Sequence, residues 1–351
     1  MRALTVRPQQ ADSVEVVELP DPVPAEGELL VEGVALGMCG TDREIIAGRY
    51  GWPPPGKDRL VLGHESLGRV RHAPEGSGFA TGDLVAGVVR RPDPTPCGAC
   101  ARGEFDTCRN GRYTERGIKE VDGYGAELWT VEVEYAVPLD SRLQQVGVLL
   151  EPTSVVAKAW EQIDRVGGRS WFEPRQALVT GAGPIGLLAA LLGVQRGLEV
   201  HVLDRVSTGP KPDAVRELGA IYHDDSVPAV VKKLQPDVVI EATGAAAVVH
   251  DVIPHIGAYG IVCLTGVSPG GHSLDIDVGR INRGIVLNNT VVMGSVSANL
   301  RHYRAAAQAL TEVDVNWAER LLTRRVPLAQ FSKAALQKQP DDIKVVLALG
   351  E

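Results

Sequence analysis

The chain has 351 residues, long for a single hydrophobic core, so two domains are expected. Hydrophobic residues make up 44% and charged residues 23%, a globular rather than a disordered balance. Its 44 acidic and 36 basic residues leave a formal charge of −8, which repels phosphate backbones and anionic headgroups and argues against nucleic-acid and membrane partners.

The opening residues, Met1-Arg2-Ala3-Leu4-Thr5-Val6-Arg7, hold no apolar signal core, so a cytoplasmic protein is expected. The first ~150 residues are rich in glycine, proline and short β-like runs such as Leu29–Val34 and Asp83–Val89, without long helical periods. Two clusters stand out there: Cys39-Gly40-Thr41-Asp42 and Gly63-His64-Glu65-Ser66-Leu67-Gly68. A thiolate, an imidazole and a carboxylate are the mixed donor set of an open, catalytic zinc. The sequence alone does not bring them together, and His64 in isolation reads as a buried or capping histidine.

The five cysteines are an odd number, and Cys97, Cys100 and Cys108 crowd into one short stretch, which favours metal ligation over disulfides. Three thiolates are one short of a closed tetrahedral structural site. Asp93 is the best substitute and Glu104 the alternative; a metal-free lobe with spare thiols is the competing reading. Cys263, inside an apolar strand, reads as a small buried hydrophobe.

From about Glu151 helical stretches alternate with compact apolar strands at 177–180, 200–203, 237–240 and 260–264, the pattern of βαβ units on a parallel sheet. Residues 177–194 are nearly free of polar side chains. Their glycines (Gly181, Gly183, Gly186, Gly193) and Pro184 suit a strand–turn–helix better than a membrane span. Gly181-Ala182-Gly183-Pro184-Ile185-Gly186 fits the G-x-G-x-x-G fingerprint between a strand and the apolar helix 187–194, where helix N–H groups and dipole receive a pyrophosphate. The next strand ends in Asp204, placed to accept from ribose hydroxyls and repel a 2′-phosphate, which favours NAD. Arg205 and Lys211 could instead hold that phosphate, as NADP requires. Thr243-Gly244 and Thr265-Gly266-Val267 close the fourth and fifth strands where such ligands bind, with plain turns as the competing reading. Residues 291–296 read as an edge strand, with Ser295, Val296 and Ser297 assigned to the cofactor. Beyond about Asn299 the chain turns helical, at 301–311 and 317–323.

The succession of Cys39-Gly40-Thr41-Asp42, Gly63-His64-Glu65-x-x-Gly68, Gly82-Asp83-Leu84-Val85 and the fingerprint resembles the zinc-containing medium-chain alcohol dehydrogenase family over essentially the whole chain. Within it the likeness is greatest to prokaryotic glucose dehydrogenases, through residues 40–45 and 62–68, Arg90-Arg91, residues 115–118, Glu151-Pro152, residues 241–244 and residues 289–296. The resemblance implies an α/β protein: a GroES-like catalytic domain at 1–153, a Rossmann doubly wound parallel sheet at 154–299, and a segment 300–351 returning to the catalytic part. It implies Cys39, His64 and Glu65 as catalytic zinc ligands and Glu151 as an exchangeable fourth ligand or substrate contact. Glu115 and Asn289 would contact substrate, Thr41 would relay the hydroxyl proton, and Asp42 would orient His64. It also implies a homodimer or homotetramer. The expected reaction is hydride transfer from a sugar hydroxyl to a nicotinamide dinucleotide, an aldose giving its lactone. Val89, Val155 and Leu287 are apolar where some glucose dehydrogenases are polar, which keeps polyols, aminocyclitols and simple alcohols open as substrates. A non-catalytic nicotinamide-binding protein is the reading from another class; the intact Cys, His and Glu set counts against it.

Overall fold

The computed structural model describes residues 1–268, 275–332, 337 and 339–350. The chain divides into two compact units, Met1–Ser154 with Ala298–Glu351, and Val155–Ser297.

The first unit opens with β1 (Arg2–Val6) and β2 (Glu15–Glu18), an antiparallel pair. The long β3 (Glu28–Met38) alternates half-buried and buried residues and then runs wholly buried from Ala35 to Met38, so it carries the chain from the surface into the interior. At its end stands helix α1 (Gly40–Ile46). β4 (Leu60–Val61) joins β1, β5 (Glu65–His72) lies antiparallel to β3, and β6 (Leu84–Gly87) to β5. β7 (Arg90–Arg91), β8 (Thr114–Arg116) and β9 (Glu120–Val121) form a small sheet of their own. β10 (Leu128–Glu132) pairs with β3 and β11 (Ala136–Leu139) with β6. The interior is built from the inward residues of these strands, among them Leu29, Val31, Leu36, Leu67, Val85 and Val131, all fully buried.

Helix α2 (Leu150–Gly167) carries Glu151 in its first turn. The second unit then alternates without exception: β12 (Gln176–Thr180), α3 (Pro184–Gln195), β13 (Glu199–Leu203), α4 (Pro210–Glu217), β14 (Ile221–His223), α5 (Val227–Leu234), β15 (Val238–Glu241), α6 (Ala246–Val252), β16 (Ile261–Leu264), α7 (Val278–Asn288) and β17 (Val291–Gly294). All six strands are parallel, in the order β14-β13-β12-β15-β16-β17. That is the doubly wound sheet expected from the apolar runs, whose strands read as continuous because helices cover both faces. Leu178, Val239 and Val262 form its core. β14 has only three residues, none buried, and so left no periodicity to read. The edge strand stops at Gly294, two residues short of the expected 296. The apolar helix α3 spans 12 residues, eight of them buried, which accounts for its hydropathy; among the described residues no helix is long and apolar enough to cross a membrane.

In the first unit, after α8 (Leu300–Thr311) and α9 (Val315–Arg320), β18 (Arg324–Pro327) and β19 (Val345–Ala348) complete the large sheet. β19 lies antiparallel to β3 with Val345 opposite Met38, which delivers the preceding Lys344 to the neighbourhood of Cys39.

Candidate functional site

The site begins where β3 gives way to α1. Cys39 caps the helix: its sulfur accepts the Thr41 N–H at 3.2 Å, while Asp42 Oδ2 accepts the Cys39 N–H at 2.8 Å. This reciprocal capping box fixes the thiol at the helix entrance. One strand over, Glu65 pairs with Gly37, and a Cβ at position 37 would lie 2.0 Å from Glu65 Oε2, so glycine is what admits the carboxylate. His64 Nε2 sits 3.0 Å from Cys39 Sγ, and one ligand atom from each of Cys39, His64 and Glu65 falls within 4.8 Å of the others. Asp42 Oδ1 faces His64 Nδ1 at 3.4 Å, on the far side of the ring from the sulfur. The structure thus brings together residues 25 and 26 positions apart in the chain.

Burial pushes the Cys39 thiol above its ordinary value. Burial opposes charge on His64, but Cys39 and Asp42 outweigh it and raise the ring well above its ordinary value. Lys344, not singled out from the sequence, is fully buried and donates to both oxygens of Glu65, at 2.6 Å to Oε1. Burial works against its charge too, yet Glu65 and Cys39 raise it. A lone lysine entering an apolar strand (Lys344-Val345-Val346-Leu347) was the available signal, because such a charge must find a buried partner. Glu151 feels His64 and Glu65 electrostatically; burial pushes its carboxyl up to about 7.

Soft sulfur, imidazole and carboxylate oxygen with a further carboxyl close by fit an open zinc site. Bond lengths of about 2.3 Å to sulfur and about 2.0 Å to nitrogen put those atoms roughly 3.5 Å apart, so binding would part Cys39 and His64 only slightly.

The second cluster also assembles: the sulfurs of Cys97, Cys100 and Cys108 lie within 4.8 Å of one another, a donor set that suits zinc. N–H groups of Arg109 and Cys100 lead in lowering the Cys97 thiol to about 6. Asp93, expected as the fourth ligand, does not join them. It is buried, and its carboxylate accepts the Thr95 N–H at 2.8 Å, Asn110 Nδ2 at 2.8 Å and Arg112 Nε at 3.2 Å. An acidic residue near three thiols serves here as a loop brace. Glu104 lies 3.6 Å from an Arg301 nitrogen and is likewise outside the cluster.

Glu115 is buried opposite Arg90, whose Nε and Nη2 both donate to Oε1 at 3.0 and 2.8 Å. Arg90 also donates to the Asp106 carbonyl at 2.8 Å, and Asp106 Oδ1 accepts from Asn299 at 2.6 Å. The expectation for Asn289 is corrected. It is the left-handed C-cap of α7, with φ of 51°, and precedes β17 at the amino edge of the parallel sheet, opposite the edge where ligands of such sheets bind.

Beside Glu115, Arg91 and Arg116 share the carboxylate of Glu132. Burial opposes its ionisation, but Arg91 and Arg116 hold it down at about 2, against its ordinary 4.5. A depressed carboxylate lends stability above its unfolded value and loses it as pH falls toward the folded one. The nominal ~3 kcal/mol shrinks to roughly 1 because the side chain is 36% exposed. Glu132→Gln is therefore expected to be about 1 kcal/mol less stable at pH 7, with the deficit vanishing between pH 4.5 and 2, as urea unfolding at several pH values would record.

In the second unit the carboxyl ends of β12, β13, β15, β16 and β17 carry the expected cofactor residues. Gly181 has φ of +94°, and a Cβ on Gly186 would stand 1.7 Å from the Gly181 carbonyl oxygen, so strand and helix meet only through glycine. Gly183 is the N-cap of α3, with Pro184 and Ile185 in its first turn. Asp204 accepts the N–H groups of Ala182 and Arg205, both at 2.7 Å, and Lys211 Nζ lies 3.8 Å away. Thr243, Thr265, Gly266 and Val267 follow β15 and β16; Ser295, Val296 and Ser297 follow β17.

A thiolate–imidazole–carboxylate cluster in a β-rich unit, on one chain with a doubly wound dinucleotide sheet, defines a zinc-dependent nicotinamide dehydrogenase of the medium-chain class. Residues 25–141 match the alcohol dehydrogenase GroES-like domain, and residues 144–349 the glucose dehydrogenase C-terminus. Glucose 1-dehydrogenase of Methanocella arvoryzae is 37% identical over 359 aligned residues, covering 100% of both chains. That of Thermoproteus tenax is 39% identical over 355, covering 99% of both. The solved Haloferax mediterranei glucose dehydrogenase in complex with NADP, zinc and gluconolactone matches with a TM-score of 0.91 at 32% identity, over 100% of both chains. The chain belongs to the glucose dehydrogenase family of zinc-containing medium-chain alcohol dehydrogenases.

Proposed function

We propose that this chain is a zinc-dependent glucose 1-dehydrogenase, oxidising D-glucose or a near aldose at C1 to the lactone with NAD or NADP. The carrying observation is the convergence of Cys39, His64 and Glu65, intact in a chain alike over its full length to glucose 1-dehydrogenases. Hydride leaves C1 for the nicotinamide ring, and the hydroxyl proton passes to solvent. Zinc held by the three ligands supplies Lewis acidity that makes that proton easier to lose. Thr41, two residues from Cys39, accepts that proton by hydrogen bond as its own hydroxyl proton passes on toward the cofactor ribose and solvent. Asp42 holds the His64 ring so that Nε2 faces the ligand cluster. Glu151 serves as exchangeable ligand or substrate contact, and Glu115, fixed by Arg90, receives a sugar hydroxyl. Cys97, Cys100 and Cys108 would supply three thiolates to a second, structural zinc, whose fourth donor is neither Asp93 nor Glu104.

The expected NAD preference rested on Asp204, but its oxygens already accept main-chain N–H groups and Lys211 partly neutralises it. Arg205 and Lys211 would receive a 2′-phosphate, so both dinucleotides are expected to serve. A homodimer or homotetramer is supported by the outer edge of β17 and by α7, which buries no residue and leaves Val286 and Leu287 exposed.

The test is turnover of D-glucose with each dinucleotide, beside other aldoses, polyols and simple alcohols, before and after chelation. Zinc-dependent glucose oxidation is expected. Full turnover without zinc would refute the metal assignment, and a faster polyol would refute the substrate.

A further inference from the structure

Glu241 ends β15 with its carboxylate fully buried. Oε1 accepts the Thr243 N–H at 2.7 Å, the Thr243 hydroxyl and the Thr180 hydroxyl at 3.3 Å; the Gly244 N–H reaches both oxygens, at 3.2 and 3.1 Å. The main-chain carbonyl of the same residue accepts the N–H groups of Thr265 and Gly266, at 2.8 and 3.0 Å, and the Thr265 hydroxyl at 2.8 Å. Every one of these donors is neutral, and among the described residues no cation pairs with Glu241. A carboxylate this deep persists only where hydrogen bonds satisfy it fully.

What those bonds determine is the backbone path of the residues that directly follow β15 and β16. With the Thr243 N–H turned inward, the planar peptide turns the Ala242 carbonyl the opposite way. The loop after β15 then packs backbone to backbone on the loop after β16: a Cβ on Gly266 would meet the Gly244 nitrogen at 2.1 Å. Its other flank touches the fingerprint, where a Cβ on Gly181 would meet Thr243 Cγ2 at 2.9 Å. The third loop on this side of the sheet has its own support. Lys158, buried on α2, donates to the Val296 carbonyl at 2.9 Å, behind a turn in which Ser297 takes φ of 63°, unusual for a residue with a side chain. Ser295 Oγ is buried there without a partner among the described residues.

In a doubly wound sheet the dinucleotide lies across the switch point, here between β12 and β15, with adenosine on the fingerprint side. The loops after β15, β16 and β17 are left for the nicotinamide half. We propose that Glu241 and Lys158 are positioning residues for that half, setting from beneath the backbone of the residues that directly follow β15, β16 and β17, namely 243–244, 265–266 and 295–297, without reaching the crevice. The proposal rests on the dinucleotide reading above.

The experiment compares wild type with Glu241→Gln, which turns an amide N–H₂ toward existing donors, and with Lys158→Met and Lys158→Arg. Affinity is measured for NADPH or NADH, by nucleotide fluorescence, and for ADP-ribose and its 2′-phosphate, by calorimetry. The latter two lack nicotinamide. The expected result is an increase of about tenfold or more in Kd for the reduced dinucleotide, with ADP-ribose ligands within about twofold. KM for the dinucleotide should rise while KM for glucose holds, and Lys158→Arg should recover most of the loss. Equal weakening of both ligand classes, or no change in either, would overturn the proposal. Lys158→Met keeps the test open should Glu241→Gln fail to fold. Wild-type protein that binds neither ligand would overturn the dinucleotide reading itself, and this inference with it.

Discussion

Cys39→Ser is expected to lower kcat with D-glucose at least about a thousandfold and to remove one zinc per chain, with dinucleotide affinity within about threefold of wild type. Serine is the informative choice because Cys39 has two roles. Its sulfur caps α1 by accepting the Thr41 N–H, and a seryl oxygen is among the best N-caps, so that role survives. The other role, a soft donor 3.0 Å from His64, does not survive, since a serine hydroxyl is no substitute for a thiolate. An alanine would confound the two by also removing a cap worth about 1 kcal/mol. A thousandfold corresponds to about 4 kcal/mol of barrier, within what Lewis-acid stabilisation of a developing alkoxide supplies. Kinetics should be read beside metal analysis and nucleotide titration. Undiminished zinc with undiminished turnover would show that Cys39 is a capping residue only.

The sequence made the second unit legible in nearly all its parts, because buried parallel strands announce themselves as short apolar runs and the fingerprint glycines mark their turn. β14 escaped, being three residues at the edge. In the first unit Cys39, His64 and Glu65 were legible as residue types, but their meeting depends on the β3–β5 register and on the space above Gly37. Lys344 was invisible as a partner of Glu65 for a related reason: 279 positions separate them, and only the return of β19 beside β3 joins them. Asp93 and Asn289 show the opposite failure. Each is a polar residue close in sequence to something functional. The local backbone had a nearer use for both, one bracing a loop through Thr95 and Asn110, the other ending a helix in the left-handed conformation. Asp93 is a short polar side chain that takes a neighbouring backbone N–H before it can serve a distant site, whereas Asn289 is used for its tolerance of the left-handed conformation.

Lys344→Met is expected to destabilise the zinc-free protein by about 3–5 kcal/mol, and the zinc-loaded protein by much less. Both members of the Lys344–Glu65 pair have only 2% of their side chains exposed, so losing the ammonium strands a buried carboxylate. Methionine keeps most of the aliphatic stem, which limits the packing change and isolates the charge. A divalent cation at the Cys39–His64–Glu65 cluster would restore a positive partner to Glu65, so the difference between the two forms measures how far ammonium and metal substitute for one another. Urea unfolding of wild type and variant, each with zinc and with chelator, gives the four values required. The gap between the two forms should be several kcal/mol wider in the variant. Equal losses in both would mean that Lys344 acts through packing of its stem alone and that Glu65 does not face the cation. The same variant has a kinetic signature: freed from the ammonium, Glu65 is a stronger donor, the metal a weaker acid, and the limb of the pH–rate profile that reports loss of the substrate proton should move to higher pH.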